Sequence, residues 1–365
     1  MDARRIGIRL ALLIIPVIVS LAITALLIAI LDEDVTEVVE TAWAGAFANK
    51  SRVASVVNFW IPLTLASMGL AVTFNAGLWN IGIEGQMVMG AVFASYPALF
   101  WDNVSGVILI PASIFLAALG GMLWGLLAGV LKSRFGVHEI FGGVALNFIA
   151  SNITIYMISG PWEPPEGGSA QATPPFVPSA KLPPIMSDFN VNFLFILLTA
   201  LSFLGIAFAL WRSRWGLMLR ATGRNPRSAL LLGVPTERVS LSSFAVCGAL
   251  GGIGGAHRVL HNFNSLRPAP AGGIGFLALL VVLLVAFRAW WIPWVTFAFA
   301  AVIAGSTRVN LLMQLDQSLV GVLQGVLVLA ILMFNGVRER WFAEPKVIIP
   351  DEPLPVASES FPVEN

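Results

Sequence analysis

Charged residues are scarce in this sequence, and their scarcity indicates the class of protein. Of 365 residues only 11% are Asp, Glu, Lys or Arg, whereas 57% are hydrophobic, and the mean hydropathy is +0.85. A water-soluble fold would have too few polar side chains to cover its surface. The basic residues stand in short clusters between apolar tracts, so the broad basic surface that nucleic acid binding requires is missing. We therefore expect a protein that contacts membrane lipid and binds no nucleic acid.

Residues and motifs of catalytic or metal chemistry are also rare. Cys247 is the only cysteine, so neither a disulfide framework nor a cysteine-based metal site can form within the chain. The three histidines, His138, His257 and His261, do not have the spacing of a zinc motif. The sequence contains no G-x-x-x-x-G-K-[ST] phosphate loop and no G-x-S-x-G nucleophile elbow. We expect a chain without catalytic residues, metal or cofactor, so any ATP and Mg would be bound by a partner.

Long uncharged tracts dominate the sequence instead. A helix rises 1.5 Å per residue and the hydrocarbon layer is about 30 Å thick, so about 17 to 25 uncharged residues can span a membrane. Ten tracts are long enough: Leu10 to Leu31, Val53 to Ile83, Gly85 to Trp101, Asn103 to Leu131, Ile140 to Trp162, Phe189 to Trp211, Val239 to His257, Ala269 to Phe287, Ala289 to Thr307 and Gln317 to Val337. The sequence predicts one all-α, polytopic membrane domain over residues 1–345 with about ten transmembrane helices. A flexible cytoplasmic tail over residues 346–365 follows.

The positions of Lys and Arg predict the orientation of these helices. Cationic loops are retained in the cytoplasm. With ten spans and the N-terminus inside, 15 of the 21 basic residues fall on the inner side. We therefore expect a multi-pass protein of the cytoplasmic (inner) membrane with both termini in the cytoplasm.

Two connecting segments stand out in this topology. The outer one, over residues 160–190, is rich in proline, so it cannot be helical throughout and is expected to lie over the outer mouth or to be a passive linker. The inner one, over residues 212–239, carries several arginines. Asn225 supplies an N-cap before Pro226, and Gly233 supplies a stop, which together predict a short cytoplasmic helix from Pro226 to Leu232. This helix either transmits force to a partner as a rigid element or serves as a positively charged segment that keeps the loop in the cytoplasm.

Polar residues within the apolar tracts identify a candidate substrate pathway. The stretch from Leu63 to Ala94 is interrupted by Asn75, Asn80, Glu84 and Gln86. Polar groups and broken helices are tolerated at membrane depth only where they face protein or a watery cavity. The pathway interpretation has an alternative, in which Glu84 sits at the headgroup level and Asn75 and Asn80 cap helix ends. Asn147 on the fifth span is likewise either a pathway donor or an interhelical hydrogen-bonding group.

Three strings carry a family resemblance: GLAVTFNAGLWNIGIEGQMVMGA, SRFGVHEIFGGVALNFIA and LRATGRNPRSALLLGVPTERVSLSSFAVCGALGGIGGA. They resemble the landmarks of permease subunits in type II ABC importers of the branched-chain amino acid, sugar and nucleoside group, most of all the nucleoside-type permeases. The three strings lie between about residue 60 and residue 260. It implies that Asn80, Glu84 and Gln86 line or support the translocation path.

The resemblance also implies partners. The inner loop would couple to a cytoplasmic ABC ATPase subunit through Arg220, Gly223, Arg224, Asn225, Pro226, Ala229 and Gly233. A second permease subunit, identical or a sister chain, would complete the pore, and an extracellular substrate-binding lipoprotein would deliver a nucleoside or a sugar. One departure concerns the substrate, because Leu277 and Ala278 stand where nucleoside-type relatives usually carry an acidic residue and a glycine.

Two other functions remain open from the sequence. An ion-coupled secondary transporter would use Glu84 to carry the coupling proton, and uptake would then follow a proton gradient alone. An intramembrane enzyme acting on lipid or peptide would turn over substrate without ATP.

Overall fold

The computed structural model describes residues 34–165 and 171–313, together with six residues between 22 and 29. The described chain is all-helical, with no strand beyond an isolated bridge between Met186 and Phe189. Its α-helices are α1 (Val35–Phe47), α2 (Lys50–Asn75), α3 (Ile83–Phe100), α4 (Gly106–Phe135), α5 (Glu139–Ser159), α6 (Phe193–Arg212), α7 (Arg214–Arg224), α8 (Pro226–Leu231), α9 (Thr236–His257), α10 (Ile274–Leu284) and α11 (Ile292–Met313).

Six helical stretches in this part of the chain are long and apolar enough to cross a membrane. They are Lys50–Asn75, Gly106–Phe135, Glu139–Ser159, Phe193–Arg212, Thr236–Phe263 and Ala289–Met313. The prediction of a polytopic helical protein is therefore confirmed, whereas the count of ten spans is not. The predicted span from Gln317 to Val337 and the predicted tail over 346–365 lie outside the described residues, as does most of the tract from Leu10 to Leu31.

Helix α9 lies at the centre of the bundle, where it packs against α2, α3 and α4. Glycine makes this packing possible. A Cβ on Gly252 would overlap the backbone of Ala117 in α4, and one on Gly90 of α3 would overlap Gly252 itself. Lipid gives no hydrophobic drive for helix association, so close backbone approach of this kind supplies the van der Waals contact that holds membrane helices together.

The proline-rich loop over residues 160–190 is not helical where it is described, apart from a 3-10 turn at Pro178–Ala180, as its composition predicted. It is fastened to the bundle by backbone bonds, including Val177 N to Ala98 O at 2.9 Å. At its far end Asp188 pairs with Lys50 at 3.0 Å, and the hydrogen bond from Lys50 lowers the pKa of the Asp188 carboxyl. The loop is therefore a packed cover over one end of the bundle.

The chain after α9 is irregular. Helix α9 continues as a π-helix over Arg258–Phe263 and ends where Asn264 takes a positive φ of 51°. An irregular connection with several bends then leads to Gly272 and Gly273, both with positive φ, and α10 begins directly after them. Helix α10 has 11 residues and is about 16 Å long, roughly half the thickness of the hydrocarbon layer. Its first residue thus lies inside the bundle.

Candidate translocation and coupling site

The polar stretch of the sequence forms a break between two buried helices. Helix α2 ends at Asn75, Gly77 follows with a φ of 73°, and α3 does not begin until Ile83. Both helices are buried over most of their length. The polar residues between Leu63 and Ala94 therefore lie at and beside a break between two helices.

Asn80 and Gln86 form a reciprocal amide pair across this break. Asn80 Nδ2 donates to Gln86 Oε1 at 3.2 Å, and Gln86 Nε2 donates to Asn80 Oδ1 at 3.1 Å. Asn80 Nδ2 also lies 3.1 Å from Cys247 Sγ on α9. Both amides are buried. Because buried amides are costly when unpaired, the pair fixes the shape of the loop between α2 and α3 and ties it to α9.

Asn147 of α5 holds the same break from the other side. Its Oδ1 accepts from Gly85 N at 2.8 Å, and its Nδ2 donates to Ile81 O at 3.0 Å. Its side chain thereby satisfies a free N–H in the first turn of α3, where helices leave backbone donors unpaired. Asn152, five residues later, is exposed, and its Nδ2 donates to Phe148 O at 2.8 Å. Of the two asparagines on α5, the structure thus brings Asn147 alone to the break.

Glu84 binds the start of α10. Its Oε1 accepts from Gly273 N and its Oε2 from Gly275 N, both at 2.7 Å. A helix N-terminus carries unpaired N–H groups and a partial positive charge, so an ionised carboxylate is well matched to this position. Glu84 thus joins the half-length helix α10 to the first turn of α3.

Asn75 lies at the end of α2, where its Nδ2 donates to Ala71 O at 2.7 Å and approaches Phe287 O at 3.4 Å. The Phe287 ring stacks on Phe74 with centroids 5.1 Å apart, although Phe287 itself has a strained φ of 63°. Trp79 meets the same Phe74 ring edge-on at 5.2 Å. The connection from α10 to α11 therefore rests against the end of α2 and its following loop.

The short helix in the basic loop forms as the sequence predicts. Helix α8 begins at Pro226, Asn225 Oδ1 accepts from Ser228 N at 3.0 Å, and Gly233 follows the helix with a φ of 82°. Ala229 is buried against the protein. Three consecutive leucines face outward, with exposed fractions of 61% for Leu230, 88% for Leu231 and 83% for Leu232. We call the segment 225–233 the knob.

The helix before the knob, α7, packs against the broken helix through two glycines. A Cβ on Gly77 would lie 3.0 Å from the Cα of Gly223, the second-last residue of α7. A Cβ on Gly223 would overlap the carbonyl oxygen of Asn75. Thr222 beside it is buried, whereas Gly77 and Gly223 themselves are exposed. Nothing in the sequence indicated that Gly77 and Gly223 touch.

The structure therefore sorts the predicted site residues into two groups. Asn80, Glu84, Gln86 and Asn147 converge on the break between α2 and α3, where each makes hydrogen bonds within the protein. Asn75 lies beside them at the end of α2, and the other predicted residues lie on the basic loop, with exposed side chains at Arg224, Asn225 and Pro226 and a half-buried one at Arg220. Sequence reasoning missed the partners Cys247, Gly273 and Gly275, which are distant along the chain and carry no motif of their own.

Comparison with known proteins gives consistent matches. Residues 52–334 match the protein family described as branched-chain amino acid transport system / permease component. The guanosine ABC transporter permease protein NupP of Bacillus subtilis is 29% identical over 286 residues, which cover 76% of this chain and 80% of the relative. The glucose ABC transporter permease protein TsgB13 of Haloferax volcanii is 25% identical over 329 residues, covering 87% and 85%.

A third relative is similar over a shorter region. The nucleoside ABC transporter permease protein NupB of Lactococcus lactis subsp. cremoris is 25% identical over 262 residues, covering 67% of this chain and 69% of the relative. No solved structure gives a significant match to this chain.

Proposed function

The chain belongs to the family of branched-chain amino acid transport system permease components, and from this premise we propose that it is the membrane-spanning subunit of an ATP-driven importer. The solute is a nucleoside, with a sugar as the second candidate. The contact between Gly77 and Gly223 is the observation that carries this proposal, because it joins the end of α7, directly before the knob, to the break between α2 and α3.

The proposed topology has ten spans with both termini in the cytoplasm. Ion pairs tie together the ends of α4, α5 and α9 at one end of the bundle: Lys132 bonds Glu139, and Arg134 lies 3.7 Å from Glu237. The basic coupling loop emerges at this same end, where α9 begins. Concentrated Lys and Arg favour the cytoplasmic side, so the knob faces the cytoplasm and the proline-rich loop faces outward.

The knob suits docking to an ABC ATPase subunit, which would bind ATP and Mg. Three exposed leucines on a capped helix of six residues form a small apolar surface outside the bundle, and exposed arginines flank it. Such a surface is typical of a protein interface rather than of a solvated loop. Movement of the ATPase would shift the knob, and the backbone contact at Gly223 would pass that shift to the break after α2.

The polar cluster at the break would respond to that shift. Asn80, Gln86 and Asn147 hold the loop between α2 and α3, while Glu84 holds α10. Packed helices shift between discrete arrangements rather than deforming continuously, so displacing this loop would open or close the path beside it. We propose that alternating access arises in this way, with a second permease subunit completing the pore and an external binding lipoprotein supplying the solute.

The choice of solute rests on the relatives. Two of those described above are named for guanosine or nucleoside transport and one for glucose. Ala278 is buried and Leu277 is half-buried in the core around α10, so the departure at these two positions does not favour either solute.

The hydrogen bonds of Glu84 argue against a secondary transporter coupled to protons through this residue. Both carboxylate oxygens accept from backbone N–H groups. Protonation would turn one oxygen into a donor facing another donor and would break the attachment of α10. A group that carries the coupling proton must bind and release it in each cycle.

The proposed function can be tested in proteoliposomes. We expect guanosine uptake to require the permease, the ATPase and ATP together, and to persist when proton gradients are dissipated. Asn225→Ala, which removes the N-cap of α8, should reduce uptake at least fivefold, while Asn225→Asp, which keeps a capping oxygen, should retain most of it. Uptake driven by a proton gradient without the ATPase would overturn the proposal.

A further inference from the structure

A polar cavity of about 380 Å³ lies at the Lys50 end of α2, most of a helix length away from Gly77. Helices α1, α2 and α11, the π-helix after α9 and Asn190 of the proline-rich loop form its walls. The residues that matter for the argument are Arg52, Asn58, Phe59, Arg258 and His261. The volume is within the range of about 300–1,000 Å³ that small-molecule sites occupy.

Asn58 lines this cavity, and its side-chain oxygen is an unsatisfied acceptor buried in the wall. Its Nδ2 donates to Asn190 O at 2.7 Å, which fixes the orientation of the amide. Its Oδ1 is buried and makes no hydrogen bond. His261 Nε2 approaches the same carbonyl at 3.2 Å and must be the donor there, because a carbonyl oxygen only accepts. A buried acceptor without a partner costs about 1–3 kcal/mol, so Asn58 is suited to a ligand that brings a donor.

The charged groups of the cavity are cationic. Arg52 and Arg258 line it, and no carboxylate does so among the described residues. The Arg258 guanidinium carbon lies 4.6 Å from the Phe263 ring centre and 6.0 Å from that of Phe59, and Arg267 lies 4.6 Å from the same Phe263. Glu84 attracts Arg258 from the α10 side. The cavity therefore repels cations and favours a ligand with several hydrogen-bond acceptors.

Arg258 connects the cavity to α10. Its Nε donates to Pro270 O at 3.2 Å, and a Cβ on Gly272 would lie 3.4 Å from one of its terminal nitrogens. The next residue, Gly273, is held by Glu84. A ligand that contacts Arg258 thus contacts the residue that positions the start of α10 beside the polar break.

We propose that this cavity is an entry site that binds the nucleobase of the incoming solute, with Asn58 accepting from a base N–H and the two arginines donating to its ring nitrogens and carbonyl oxygen. A planar base can also stack against the Phe59 ring, and a sugar ring or an inorganic anion makes a weaker contact there. This inference rests on the proposed function, and it adds the location of the site and the part of the solute that is recognised.

The test measures binding of radiolabelled guanosine to the purified permease in lipid nanodiscs without the ATPase. We expect saturable binding that guanine displaces and that ribose and inorganic phosphate do not displace. Asn58→Leu and Arg52→Gln should each raise the Kd at least tenfold. The matched control is Asn152→Leu, which changes an exposed asparagine on α5 and should leave the Kd unchanged. If Asn58→Leu does not fold, as judged by its thermal unfolding, Arg52→Gln at the surface-accessible end of the cavity carries the test.

Three results would overturn the entry site. The first is an equal Kd for guanosine in Asn58→Leu and Asn152→Leu. The second is displacement of bound guanosine by phosphate but not by guanine, and the third is its displacement by anionic lipid alone. The second and third results would indicate a site for an anion or a lipid headgroup. ATP-dependent guanosine uptake by the assembled transporter is measured in parallel. If that uptake is normal while the cavity variants bind as the wild type does, the entry site is wrong and the proposed function stands. If the wild-type transporter shows no ATP-dependent guanosine uptake, the proposed function is wrong, and the entry site, which rests on it, is wrong with it.

Discussion

Gly77 and Gly223 pack backbone against backbone, with the Cα of Gly223 only 3.0 Å from where a Cβ of Gly77 would lie. One glycine follows the end of a buried helix, and the other is the second-last residue of the helix before the knob. The contact is between backbone atoms, so no flexible side chain separates the two segments. Under the proposed function, movement of the knob and α7 would therefore reach the broken helix directly.

Gly223→Ala tests this contact. The added Cβ would overlap the Asn75 carbonyl oxygen, so the segments must move apart. We expect a loss of stability of about 1–3 kcal/mol and at least a tenfold loss of ATP-dependent uptake, measured in proteoliposomes with thermal unfolding alongside. The matched control is Gly205→Ala in α6, where no atom lies within 4 Å of the new Cβ. Equal uptake by the two variants would show that the close contact is dispensable.

Leu231→Asp tests the exposed face of the knob. Because Leu231 is 88% exposed, the substitution should change the stability of the isolated permease by no more than about 0.5 kcal/mol. We expect the amount of ATPase subunit that co-purifies with the permease to fall at least tenfold, because the substitution places a charge in an apolar interface. Leu231→Met preserves apolar area and should preserve co-purification. Undiminished co-purification with Leu231→Asp would mean that the ATPase docks elsewhere.

Glu84→Gln tests the attachment of α10. The amide keeps one acceptor oxygen, but its NH2 group must then face a backbone N–H of Gly273 or Gly275. A hydrogen bond to a charged group contributes about 1.5–3 kcal/mol, so we expect a stability loss of that order together with reduced uptake. Glu40→Gln, on the exposed surface of α1, is the control. Reduced uptake at full stability would instead assign Glu84 a direct contact with solute.

A double-mutant cycle tests the amide pair of Asn80 and Gln86. Either single change to Leu leaves one buried amide unpaired, whereas the double change removes both. We expect each single variant to lose about 1–3 kcal/mol and the double variant to lose less than the sum of the two. Uptake measured in the double variant separates two roles. Recovered stability with recovered uptake indicates a structural pair, and recovered stability without uptake indicates contact with the solute path. Fully additive losses would contradict the pairing.

The positions of the helices were largely predictable from the sequence. Uncharged tracts correspond to α2, α4, α5, α6, α9 and α11 because apolar length alone selects segments that can span a membrane. The knob was also predictable, since its N-cap at Asn225, its proline and its terminal Gly233 act within a few residues of one another. Most predicted helix ends differ from the observed ones by a few residues, because flanking charges define them poorly. The tract from Val53 to Ile83 is the larger miss, since α2 ends at Asn75 and no charge marks the break that follows.

The partners of the polar residues were not predictable. Local sequence identified Asn80, Glu84 and Asn147 as polar groups in apolar surroundings, but each had two open interpretations. Glu84 is bound to glycine N–H groups 189 and 191 residues away, and Asn147 to the break 62 and 66 residues away. Such bonds depend on how the helices pack, and the backbone atoms that make them have no signature in the sequence.

Composition and apolar length by themselves determined that this chain is a helical membrane protein with a capped, arginine-flanked knob, because those properties act locally or through the bilayer. Only the tertiary structure decided that the helix before the knob touches the broken helix through Gly77 and Gly223, and that Arg52, Asn58 and Arg258 share one cavity. These relationships join residues from separate helices. They follow from the close approach that glycine permits between helices and from the need of each buried polar group to find a partner.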